Sequence, residues 1–203
     1  TYFFKEDNEL SKSYVEYTKR YIDMYEDLIY KFPYKRFAIV ENPLSTGYSF
    51  PTFTLLGQSV VRLPFIVETS LGHEVLHQWF GNYVYIDFER GNWAEGLTTY
   101  LSDHLYEDLK GRGWQYRKNI LIDYHSYVNP DRDFPLIGFR ERYDDSSSAI
   151  GYGKSAMVFH LLKNEVGEEG FYKSLKYLIK QNRLKRASWD DVRTDFEKNY
   201  KSD

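Results

Sequence analysis

Apolar residues recur at alternating spacings of four and three from Leu10 through Tyr14, Tyr17, Tyr21, Met24 and Leu28. That is one stripe of a helix, and it predicts a helix over residues 9–31 that Pro33 ends. Residues 36–41 and 52–63 are rich in β-branched and aromatic side chains. Pro43, Gly47, Pro51 and Gly57 interrupt them, so short strands are expected there. From about residue 68 the pattern turns helical and stays so. Thr69 or Ser70 can cap a helix running to Phe80, with Gly81-Asn82 as its stop. Asn92 can cap a second helix with Leu97, Leu101, Leu105 and Leu109 as its inner stripe and Gly111 beyond its end. A third helix is expected over 114–127, then a long loop over 130–148, then helices over 149–166, 168–182 and 189–199. Ser188 with Asp191 makes a capping box before the last. Asp144-Asp145 and the serines after them suit the start of the helix that carries Tyr152. Strands first and helices after are an α+β pattern: a small N-terminal mixed sheet followed by a mainly helical body.

Composition changes this picture little, but it excludes several functions. The 203 residues are enough for one domain with a sizeable core. The net charge of −3 disfavours a nucleic-acid partner, which usually calls for a basic excess. The absence of cysteine removes disulfides, cysteine-ligated metals and thiol catalysis. No apolar run reaches the roughly 18 residues of a membrane span, and no signal-peptide core opens the chain. The compartment stays open. The 20 tyrosines read as amphipathic core residues.

The chemistry lies in His73-Glu74-Val75-Leu76-His77. On a helix, residues four apart share a face, so both imidazoles can reach one Zn²⁺. Glu74 can then take a proton from a water in the open metal position. Two unrelated histidines on one helix would give the same letters, so a third ligand matters. Glu95 fits that role. It stands in the first turn of the next helix, and a chain reversed at Gly81-Asn82 would bring that helix back antiparallel. His104 is nine residues from Glu95 on the same helix, about 13 Å at 1.5 Å per residue, too far to join them. His125 and His160 read as surface or core residues.

The run from His73 to Asn82, followed by Trp93-Ala-Glu-Gly96, resembles the M1 family of zinc aminopeptidases. The resemblance extends over about residues 10–200. It implies a thermolysin-like catalytic domain with one zinc per chain on His73, His77 and Glu95, and Glu74 as base. Seventeen residues (78–94) separate the second histidine from Glu95, one fewer than is usual in the family, and Ala94 stands where the family has Asn. Gly151-Tyr152-Gly153-Lys154 is similar to the family segment whose tyrosine holds the oxyanion, with Ser155 replacing a glycine. Residues 38–42 are similar to the segment whose glutamate binds the substrate's free α-amine. That glutamate is Glu41 here, with Ala38 and Val40 in place of Gly and Met.

The expectation is a zinc metallopeptidase that removes N-terminal residues from peptides with a free N-terminus. The alternatives are a catalytically silent zinc-stabilised binding domain and an endopeptidase on the same zinc. Residues 1–203 read as a single catalytic domain taken from a longer chain whose neighbouring domains are its expected partners.

Overall fold

The structure is a computed structural model that describes residues 1–44 and 47–200. The chain packs as two compact units, Thr1–Tyr83 and Val84–Asp203.

The first unit opens with a short 3-10 turn at Lys5–Leu10, and helix α1 (Ser11–Leu28) comes next. Its buried face is Tyr14, Thr18, Tyr21 and Tyr25; the predicted stripe holds at Tyr14 and Tyr21, while Leu10, Tyr17, Met24 and Leu28 are only half-buried. Strands β1 (Ala38–Asn42), β2 (Gly47–Phe50) and β3 (Phe53–Gly57) form a sheet in the order β1-β3-β2. β1 runs parallel to β3 and β2 antiparallel to it, so the sheet is mixed, as expected. The predicted strand at 52–63 is corrected beyond Gly57. Residues Gln58–Val61 form one helical turn, α2, because Gln58 and the following Arg62 reach back to Asp7. Helix α3 (Ser70–Leu76) buries Leu71, Val75 and Leu76. It stops four residues short of the expected end, where the chain tightens into i→i+3 bonds from Gln78 to Val75 and from Trp79 to Leu76. Gly81, at φ 115°, makes the final turn. The Thr69 hydroxyl does not cap α3; it donates to Phe65 O.

Among the described residues of the second unit, the regular structure is helical except for a two-residue parallel pairing of β4 (Tyr85–Ile86) with β5 (Arg186–Ala187). Helices α4 (Ala94–Thr99) and α5 (Leu105–Leu109) are joined by a wide, π-type turn at Tyr100–His104. The extra residue in that turn rotates α5 relative to α4, so His104 and Tyr106 are buried while Leu109 is 72% exposed. The predicted leucine stripe therefore holds at Leu97 and Leu101 and fails at Leu109. Helix α6 (Gly113–Tyr127) is as predicted. The expected loop ends early in a short helix, α7 (Asp145–Ser148), with a capping box between Asp144 and Ser147. A second wide turn at Ala149–Lys154 leads into α8 (Ser155–Asn182), which is broken at Gly167 where a break was expected. The Ser188–Asp191 capping box opens α9 (Trp189–Asn199).

Candidate metal and catalytic site

In the first unit, α3 carries His73 and Glu74, and His77 is the residue that caps its C-terminus. The two imidazole centroids are 4.8 Å apart, so the predicted sharing of one face holds. His77 Nδ1 lies 3.0 Å from Phe80 O. A carbonyl only accepts, so Nδ1 carries the proton and Nε2 keeps a lone pair. That is the tautomer a metal ligand needs, with its other nitrogen held by a neighbour. Both histidines and Glu74 are half-buried.

Strand β2 lies against this turn of helix. A β-carbon on Gly47 would sit 3.3 Å from Glu74 Oε1. The Ser49 hydroxyl donates to Glu74 O at 2.9 Å. Gln78, fully buried, donates through Nε2 to Ser49 Oγ at 2.8 Å and to Phe50 O at 3.0 Å, and its Oε1 accepts Thr52 N–H at 2.8 Å. Gln78 thus fastens β2 to the motif, a role that its place after His77 did not reveal. The Trp79 indole donates to Tyr30 O at 2.9 Å and packs edge-on against Tyr25 and Phe32, which anchors the same turn to α1.

Glu41 is placed differently from the other predicted residues. It sits on β1 and is 5% exposed. Its Oε2 accepts the Phe4 backbone N–H at 2.7 Å. Burial pushes its carboxyl above the usual range, and Asp7 beside it adds to that push. Asp7 is held down to about 2 by the Arg62 guanidinium, which donates to both of its oxygens at 2.8 Å.

In the second unit, Glu95 is in the first turn of α4, half-buried. Asn92 ties down that turn from one residue before the cap position, which Trp93 and not the predicted Asn92 occupies: its Oδ1 accepts Ala94 N–H at 3.1 Å. Its other groups tie the turn to the 139–140 segment, with Asn92 N to Phe139 O at 2.8 Å and Nδ2 to Arg140 O at 3.0 Å. Phe139 is buried, and its ring fills the space where a β-carbon on Gly151 would lie, at 2.1 Å. The same ring meets Tyr152 edge-on at 6.0 Å. A second link runs from Gly96 to Ser155, with no room for a side chain between them. Glu95 and Tyr152 are therefore held in one frame by Asn92, Phe139 and the Gly96–Ser155 contact. Only Asn92 among these was visible as a local signal. Tyr152 lines a cavity of about 270 Å³ with Thr99, Tyr116, Asp123 and Asp145. Lys154, two residues on in the tyrosine segment, pairs with Asp133 at 2.9 Å.

His104 is buried in the same unit and is not part of this frame. Arg117 Nη1 donates to its Nε2 at 2.7 Å, and its ring stacks on Tyr100. Burial, with Arg117 adding to it, lowers its pKa to about 4. Among the described residues no helix is long and apolar enough to cross a membrane.

Residues 14–203 match the Peptidase family M1 domain. The chain belongs to peptidase family M1. It is 31% identical over 133 residues to aminopeptidase M1-C of Oryza sativa subsp. japonica, covering 62% of this chain and 15% of that protein. It is 28% identical over 166 residues to leucine aminopeptidase 2 of Emericella nidulans, covering 76% of this chain and 27% of that protein. The chain thus spans under a third of the length of these relatives. Its fold is that of the M1 zinc metallopeptidase from Deinococcus radiodurans, with a TM-score of 0.71 at 23% identity over 92% of this chain and 41% of that one.

Proposed function

We propose that this chain is the catalytic domain of a zinc metallopeptidase that hydrolyses peptides, and that His73, His77 and Glu95 hold the metal. The observation that carries the proposal is the His73–His77 pair with its Nδ1-anchored tautomer, in a chain of the M1 family. When bound, zinc would supply a Lewis acid that acidifies water and polarises a carbonyl.

The protein groups do the rest. Glu74, beside His73 and backed by β2, takes a proton from the attacking water and returns it to the leaving amine. The Tyr152 hydroxyl, steadied by Phe139, donates to the carbonyl oxygen as it gains charge. A preorganised donor of this kind is typically worth about 2.7–4 kcal/mol in the transition state. Strand β2, which lies against Glu74, is in this reading the strand along which the peptide aligns. The names of the relatives make an aminopeptidase the nearest class, and in that class a carboxylate meets the substrate's α-amine; the resemblance nominates Glu41.

The test is hydrolysis of amino-acid p-nitroanilides by the zinc-loaded protein, by the same protein after chelation, and by Glu74→Gln. Turnover that vanishes on chelation, returns with zinc and is absent in Glu74→Gln supports the proposal. Zinc-loaded Glu74→Gln working at the wild-type rate removes Glu74 as the base. No turnover by the wild type supports the silent binding domain.

A further inference from the structure

Helix α6 turns one face toward the wide turn that carries Tyr152. Tyr116, Ile120, Asp123 and Tyr127 recur at spacings of four, three and four, so they form one stripe of that helix. Asp145, Ser148 and Tyr152 recur at three and four along α7 and the wide turn. Both stripes line the cavity of about 270 Å³. The two walls meet closely at Gly153, where a β-carbon would sit 3.1 Å from Ile120 Cγ2.

The lining residues differ in burial and in charge. Thr99 is 5% exposed, and its hydroxyl is buried with no hydrogen-bond partner among the described residues. It stands one turn beyond Glu95 on α4, so the two share a helix face. A buried hydroxyl left unpaired is costly, and a peptide group brought to it would supply the missing bond. Asp123 and Asp145 are exposed and mark the solvent end. Among the described residues no base lines the cavity. The two cations next to lining residues in sequence are turned elsewhere: Lys154 pairs with Asp133 at 2.9 Å, and Arg117 donates to His104 Nε2 at 2.7 Å. Ile120 and the rings of Tyr116 and Tyr127 supply apolar wall. Burial raises the pKa of Tyr116, and Asp103 and Asp123 add to the rise, so its phenol stays uncharged.

We infer that this cavity is a subsite for a basic side chain, lysine or arginine, on a substrate residue adjoining the scissile bond. The peptide group meets Thr99, the methylenes lie along Ile120 and the tyrosine rings, and the cation ends between Asp123 and Asp145. The inference rests on the metallopeptidase reading, because Tyr152 is what joins the cavity to the scissile bond.

The experiment has two readouts on the zinc-loaded protein. The first needs no turnover. Nα-acetyl-lysine amide and Nα-acetyl-norleucine amide, which differ in the charged end, are titrated in and followed by amide NMR. The lysine probe should shift amides within 116–127 and 145–153. Exposed charge pairs are individually weak, so it should bind about fivefold more tightly than the norleucine probe at low salt, and about 0.5 M NaCl should erase the difference. Equal binding of the two probes at low salt, or shifts confined to other residues, overturns the inference. In Asp123→Asn/Asp145→Asn the two probes should bind alike; a preference that survives overturns the inference. If that variant does not fold, the salt dependence of the wild type decides. The second readout is kcat/KM for peptides with lysine or norleucine at the first or the second position. Lysine should be favoured at one of the two positions, and the double variant should remove that preference. No preference at either position overturns the inference. A wild type inert to all four peptides counts against the metallopeptidase reading, and the probe titration then decides the subsite alone.

Discussion

Gly96→Ala tests the frame that holds Glu95. The added β-carbon would stand 1.8 Å from Ser155 Oγ, 2.2 Å from Ser155 Cβ and 2.9 Å from its carbonyl carbon. Carbon contacts relax at about 3.5–4.0 Å. Rotating the hydroxyl relieves the first contact and neither of the others, so the α4 and α8 backbones must part. Overpacking of this kind costs typically about 1–3 kcal/mol. Alanine offsets up to about 1 kcal/mol of that through helix propensity. With a backbone atom in the way, the upper end applies, for a net loss of about 2 kcal/mol. At about 2–4 °C per kcal/mol for a chain of this size, Tm should fall by roughly 4–8 °C. Urea denaturation followed by circular dichroism, with a chelator present so that metal linkage does not enter, measures the loss. Gly96→Ala/Ser155→Gly removes the two closest contacts and should recover more than half of it. The reasoning is refuted if Gly96→Ala unfolds within about 0.5 kcal/mol of wild type, or if the two substitutions are simply additive.

Tyr152→Phe should lower kcat by about 10²-fold or more with little change in KM, because its hydroxyl acts on charge that develops in the transition state; steady-state kinetics with zinc content held equal checks this. His104 gives a pH signature. Its folded pKa of about 4 lies below the 6.5 of an unperturbed histidine, so the fold favours the neutral ring. That contribution is complete above pH 6.5 and is lost as pH falls from 6.5 through 4, about 3 kcal/mol in all. Urea midpoints between pH 7 and pH 4 should show the loss in wild type and a flatter profile in His104→Gln. Asp7 acts lower: Arg62 holds its pKa near 2, so its support is full above the usual aspartate value near 3.8 and fades as pH drops toward 2. Arg62→Met should raise the acid midpoint of unfolding, read by fluorescence.

The α1 helix with Tyr14 and Tyr21 on its buried face, the capping box at Ser188 and the break at Gly167 were legible because each is a local pattern with a local cause. The motif on α3 was legible for the same reason, since four-residue spacing places both imidazoles on one face. β2 was not. Its Tyr48 and Phe50 are exposed, and the strand is held by Gln78, twenty-eight residues beyond Phe50. Gln58–Val61 resembled a strand through Val60 and Val61, yet the side chains of Gln58 and Arg62 are drawn to Asp7, some fifty residues back. Leu109 left the buried face because a wide turn shifts phase without any residue that announces it. The segment 130–148 read as loop, and its Phe139 proved to be the ring on which Gly151 and Tyr152 rest. The role nominated for Glu41 came from a resemblance in letters; its hydrogen bond to Phe4 depends on how residues 1–4 lie, which no short-range pattern encodes.

The central claim is that His73, His77 and Glu95 together hold one zinc. Zinc per chain, measured by elemental analysis after exhaustive dialysis of wild type and Glu95→Ala side by side, tests it most directly. One equivalent in the wild type and less than a tenth in a folded Glu95→Ala is the predicted result. A full equivalent retained by Glu95→Ala, or none in the wild type after zinc loading, would contradict it.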